Sequence, residues 1–157
     1  MRAIRAAAAV VAVAVLLVAP AHATLSADDK RTLAQLALQW AIDGGITDFK
    51  LVKDPTTIPV LDANLPPGTR LQLAGRKVEV HSLAVMQALA DMRGDFLYFR
   101  LGPFAEKDQR VNVPIALVWS VSVKSTAQYL SGGGATLEFE QRDGAWRQLP
   151  VTNRWSS

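Results

Sequence analysis

The sequence predicts an α+β fold: a long N-terminal helix packed on a curved antiparallel sheet, with a second short helix. Three observations carry this. Leu33, Leu36, Ala37, Trp40 and Ala41 recur at helical spacing. From Phe96 the period changes to two, most clearly where Val111, Val113, Ile115, Leu117, Trp119, Val121 and Val123 share one strand face while Asn112, Ser120, Ser122 and Lys124 share the other, a wet one. Then Ala135, Leu137 and Phe139 alternate with polar residues up to an Asp143-Gly144 turn, and Trp146 to Thr152 returns as the last strand.

The chain starts with Arg2 and Arg5, an apolar run from Ala6 to Val18, Pro20, and the small-x-small site Ala21-His22-Ala23. This pattern predicts a secretory signal peptide over residues 1–23, cut before Thr24, and a single α+β domain over 24–157. The apolar run falls short of the roughly 20 residues of a spanning helix, so no stable membrane insertion is expected after cleavage. Export implies a periplasmic or extracellular location. With no cysteine in the chain, a disulfide framework is excluded and packing alone must hold the domain, which suits a bacterial periplasm. Of the 17 basic residues, Arg2 and Arg5 leave with the leader, so 15 face 14 acidic ones and the mature charge is +1. That balance lacks the basic footprint of a nucleic-acid binder.

Taking the elements in order, Ser26 with Asp28 and Asp29 marks the start of the first helix, because a serine hydroxyl caps free amides and early acids suit the positive end of the helix dipole. Gly44-Gly45 ends it. Short apolar runs at Phe49 to Val52 and Ile58 to Leu61, set among prolines, read as edge strands. Leu71 and Leu73, then Val78 and Val80, alternate around Ala74-Gly75-Arg76 and predict a small hairpin. Ser82 caps the second helix, whose apolar stripe is Val85, Met86, Leu89 and Met92, with Gly94 just past its end. Phe96 to Leu101 is apolar on both faces and reads as a central strand. Pro114 cannot donate to a ladder, so a bulge or an edge position is expected there. The charged runs at 105–110 and 140–144 fit hairpin tips.

The triple glycine at Gly132 to Gly134 follows Tyr129 and Ser131. Phosphate loops place their glycines between a strand and a helix, whereas here a strand follows, and no Walker lysine is present. A nucleophilic Ser131 would need a base, and His81 is the sole histidine after the leader. The glycines are therefore expected to serve geometry, through positive φ at one or more of them or through close approach to a neighbouring element.

The stretches Gly94 to Phe99 (GDFLYF), Leu117 to Trp146 and Arg154 to Ser157 (RWSS) resemble a group of small exported bacterial proteins without assigned activity. Their plan is similar to the cystatin-like and NTF2-like folds, in which a curved antiparallel sheet wraps a long N-terminal helix. The resemblance covers Ser26 to Ser157, with YLSGGG and DGAW as its most specific part, and a hairpin between the helices departs from the usual NTF2-like order. It implies no catalytic residue.

Two kinds of site come from the residues. Trp146 and Trp155 are candidates for binding a ligand or partner, since tryptophan joins large area to a polar tip. A secreted, non-enzymatic binding domain is the function expected, taking a small apolar ligand or a protein partner in the concave face of the sheet, with a homodimer as a further partner reading. The alternative is a small cofactor-free isomerase or hydratase in which His81, beside Glu79, or Asp95 or Asp91 with Tyr98 and Tyr129 supplies the acid, base and oxyanion groups. Neither reading needs a cofactor, and the residue set predicts no metal.

Overall fold

The computed structural model describes residues 24–128 and 132–156; the expectations for the 1–23 leader and for Tyr129 and Ser131 lie outside the described residues. Helix α1 spans Ala27–Trp40. The Ser26 hydroxyl accepts from the Asp29 amide at 3.0 Å, and the Asp29 carboxylate accepts from the Ser26 amide at 3.2 Å, closing a capping box. The buried face of α1 is Leu33, Ala34, Ala37 and Leu38, so the expected stripe is rotated and Leu36 and Trp40 lie half-buried on its flank. Ala34, Ala37 and, just past the helix, Ala41 are fully buried, side chains small enough to permit close packing on the sheet. After α1 the chain makes a wide turn over Ala41–Gly45, with Gly44 at φ +102 and the Ile46 amide donating to the Ala41 carbonyl at 3.1 Å. Where the sequence suggests an edge strand at Phe49 to Val52, the chain instead forms a 3-10 turn over Thr47–Leu51. Side chains rather than a ladder anchor it: the Phe49 ring lies 5.9 Å from that of Phe99, and the Arg76 guanidinium lies 5.1 Å over Phe49.

Among the described residues, eight strands form one curled sheet, a half-barrel: β1 Thr57–Leu61, β2 Lys77–His81, β3 Phe96–Leu101, β4 Ala105–Lys107, β5 Arg110–Ser120, β6 Gly134–Arg142, β7 Ala145–Gln148 and β8 Asn153–Trp155. Its path is β2-β1-β3-β5-β6-β7, with β4 also paired to β5 and β8 to β6. The sheet is mixed, not antiparallel throughout as expected, because β1 runs parallel to both β2 and β3. The expected hairpin from Leu71 to Val80 shrinks to one bridge, Leu73 to Arg76, around a Gly75 at φ +69, and Val78 and Val80 pair with Ile58 and Val60 instead. Strand β1 is consequently an inner strand rather than an edge.

Parallel neighbours need a crossover. The second helix, α2 at Leu83–Arg93, provides it: the chain leaves β2, passes over the sheet as α2 and re-enters as β3 on the far side of β1. The sheet therefore has a helix on each face. On one, α1 buries Ile58, Val60, Leu97, Phe99, Ile115, Leu117, Leu137 and Phe139; on the other, Met86 of α2 packs with Leu61 and Tyr98. This corrects the wet face assigned to the long strand. Ser120 is buried there, its hydroxyl donating to the Met86 carbonyl at 3.1 Å. Ser120→Ala should cost about 1 kcal/mol in a urea melt, the usual net worth of one hydrogen bond, and an unchanged midpoint would deny that bond a role.

Pro114 sits opposite a bulge. Leu101 pairs with Ile115 and Ala105 with Asn112, so residues 102–104 face only Val113 and Pro114. In antiparallel pairing a residue's amide and carbonyl point to the same side. The Pro114 carbonyl accepts from the Gly102 amide at 2.8 Å, so its missing donor faces this break and no ladder bond is lost within β3 or β4. The two charged runs are hairpin tips, with positive φ at Asp108 and Gln109 and at Asp143 and Gly144, as two-residue turns of this hand require. The last strand is broken in two, β7 ending at Gln148 and β8 resuming at Asn153, with Pro150 between.

Neither Gly133 nor Gly134 has positive φ, and of the two reasons expected for the glycines it is close approach to a neighbouring element that the fold shows. A β-carbon on Gly132 would overlap the Leu117 carbonyl, and one on Gly134 would enter the Trp155 indole.

Candidate functional site

The space between α1 and the sheet is occupied by the apolar side chains of both, so the concavities of the domain lie elsewhere. A groove of about 210 Å³ runs between the C-terminal half of α2, the segment after the 3-10 turn and the β1 to β3 strands. Its apolar walls are Leu51, Val52, Pro59, Leu89, Phe96 and Trp119, with Glu79, Arg93 and Asp95 among the polar ones. Trp119 is thus half-buried at a groove, not at the centre of the packed face where its place in the alternation put it. Helix α2 explains why the groove is apolar. Its buried residues are Met86 and Ala90, while Val85, Leu89 and Met92, spaced i, i+4 and i+7, face away from the core. Val85 is 41% exposed and Met92 72%. Only Met86 of the expected stripe is buried in full.

The residues proposed for acid-base chemistry are spread along this side of the sheet. His81 ends β2 and its Nε2 lies 3.2 Å from a Glu79 oxygen. Lys77 bonds the same carboxylate from the other side at 2.6 Å, and these hydrogen bonds, that from Lys77 first, hold Glu79 below the ordinary glutamate value. Asp95 accepts from the Ser122 amide at 2.7 Å and from the Ser125 hydroxyl at 2.5 Å, fastening the segment after β5. Tyr98 is buried beneath α2 with Leu61 and Met86. Asp91, on α2, accepts from the Val123 amide at 2.8 Å, a bond that lowers its pKa.

The two candidate binding tryptophans part company. Trp146 lines a second, open cleft of about 460 Å³ between the end of α1 and β7–β8, together with Leu36, Trp40 and Arg154. Trp155 lies over Gly134, 44% exposed. Trp40 joins the cleft because Gly45 leaves room for its ring, and the Arg154 guanidinium stands 5.1 Å over that ring. Its helical spacing marked it as core, and nothing in the local sequence shows that the C-terminal strand reaches it.

Trp146 is fixed by a long-range bond, its indole Nε1 donating to Asp29 at 2.8 Å. Bonds from the Ser26 side chain and then from Trp146 hold Asp29 below the ordinary aspartate value of 3.8. A carboxylate depressed on folding stabilises the protein above its unfolded pKa, and this contribution is lost as pH falls through the folded value. Asp29→Asn should therefore destabilise the protein at neutral pH, and its gap from wild type should close below about pH 3.8. Urea midpoints of both proteins along the acid limb check this; a gap that stays constant with pH would refute it.

Among the described residues no helix is long and apolar enough to cross a membrane. Comparison of the chain with protein-family models, curated proteins and solved structures finds no match.

Proposed function

We propose that the chain is an exported, non-enzymatic binding domain that holds a protein partner through α2 and the groove beside it. The observation that carries this is the apolar stripe of α2, on which the fold leaves Val85 and Met92 exposed while the half-buried Leu89 between them lines the groove. An apolar helix face next to an apolar groove is the usual anatomy of a docking surface, with the charged residues at its rim. Export to the periplasm or beyond is part of the proposal, supported by the Arg2/Arg5 start, the apolar run and Ala21-His22-Ala23. The finer fold class proposed is cystatin-like or NTF2-like, supported by a long N-terminal helix lying across a curled sheet, with the parallel β1 as the departure from that plan.

Native mass spectrometry of the protein recovered from its exporting cell tests the reading. The wild type should carry a second polypeptide, which the double variant Val85→Glu, Met92→Glu should lose while keeping the wild-type urea midpoint. A bare monomer, or a companion retained by the variant, would reject it; a companion of identical mass would make the partner a second copy of the chain.

A further inference from the structure

The cleft between the end of α1 and β7–β8 is remote in sequence from α2 and plays no part in the docking surface above. Its chemistry differs too. Trp40 and Trp146 supply two half-buried indoles, each held in place, one against Gly45 and under Arg154, the other by its bond to Asp29. Around them stand Gln39, Asp43, Gln148 and Arg154. Gln39 donates to an Asp43 carboxylate oxygen at 2.8 Å, which orients that carboxylate. Among the described residues, the Gln148 side-chain amide has no hydrogen-bond partner and Arg154 has no ion pair.

Three classes of ligand can be weighed against that set. An apolar molecule would cover a carboxylate, a guanidinium and two amides without pairing them, at a desolvation cost for each. An anion would meet Arg154 but also Asp43, so the walls carry no surplus charge to attract it. A neutral polyhydroxylated molecule satisfies both halves, because a C–H face can lie on the Trp146 indole and meet the edge of the Trp40 ring, whose faces Gly45 and Arg154 already hold, while its hydroxyls, donors and acceptors at once, pair with amide, carboxylate and guanidinium. The cleft volume of about 460 Å³ is in the range of small-molecule sites. We infer that this cleft is a binding site for a neutral saccharide.

Titration of the full chain with cellotriose, maltotriose and the trimer of N-acetylglucosamine, followed by the NMR signals of the tryptophan indole N–H groups, tests this. At least one sugar should shift the Trp40 and Trp146 signals saturably by millimolar concentration and leave Trp119 unmoved. Gln148→Ala, which removes a side chain that holds nothing in the fold, should weaken that binding about tenfold or more with an unchanged circular dichroism spectrum. Flat titrations with all three sugars would overturn the inference, as would wild-type affinity in Gln148→Ala. A proline-rich peptide that shifts the same signals where the sugars do not would overturn it in favour of peptide recognition. None of these outcomes touches α2, so the docking proposal stands or falls separately.

Discussion

Phe99→Ala is expected to lower the unfolding free energy by about 3–5 kcal/mol, the range for deleting a fully buried aromatic ring. Phe99 is 1% exposed and lies on β3, where the two halves of the sheet join. It pairs with Leu117 of β5 on one side and with Val60 of β1 on the other, the one register pair between β1 and β3. Its ring also meets that of Phe49 at 5.9 Å, so it ties the 3-10 turn to the sheet. Neighbours on three elements cannot all collapse into the space it would leave, and a cavity should remain. Such a loss is a large part of a typical domain stability of about 5–15 kcal/mol. Trp119→Ala, the costliest truncation to expect from strand alternation alone, should cost less, because Trp119 borders a groove and leaves no closed cavity. Urea melts of the two variants decide the order; a Phe99→Ala midpoint above that of Trp119→Ala would show that the sheet is not joined through this side chain.

Gly132→Ala is the second large effect. The new methyl group would be placed on the Leu117 carbonyl, a backbone group inside the sheet that cannot rotate aside. The Leu117 amide also accepts no freedom, since it donates to the Gly133 carbonyl at 2.8 Å. The chain must therefore break or shift that pairing, and the cost should reach or exceed the top of the about 1–3 kcal/mol usual for overpacking. Gly134→Ala provides the contrast. Its methyl group would meet the Trp155 ring, which is 44% exposed and can swing into solvent, so the loss should be smaller and should come with a change in near-ultraviolet circular dichroism. Equal melting of Gly132→Ala and wild type would show that β5 and the glycine segment are not in contact.

Of the candidate sites, the sequence identifies side chains better than their company. Trp146 is legible because a tryptophan two residues after Asp143-Gly144 must sit at the start of a return strand. That Trp40 and Arg154 meet it is not legible, since Trp40 is more than a hundred residues away in the sequence and Arg154 is brought to the cleft by the way β8 pairs with β6. The stripe on α2 shows the reverse problem. Its residues are read correctly as apolar and helical, but periodicity does not say which apolar face a helix buries when Met86 and Ala90 lie on one side and Val85, Leu89 and Met92 on the next.

The sequence by itself determined the local elements: the capped helices behind Ser26 and Ser82, the long strand from Val111, the turns at Asp108-Gln109 and Asp143-Gly144, and hence an α+β domain. Each depends on contacts within a few residues, where propensity and period act directly. Only the tertiary structure decided that β1 lies between β2 and β3 in parallel, that α2 crosses the second face and buries Ser120, and which groups the glycines approach, the Leu117 carbonyl at Gly132 and the Trp155 indole at Gly134. Parallel pairing and close approach join segments distant along the chain. Their energy depends on which surfaces meet, and no short window of residues contains that.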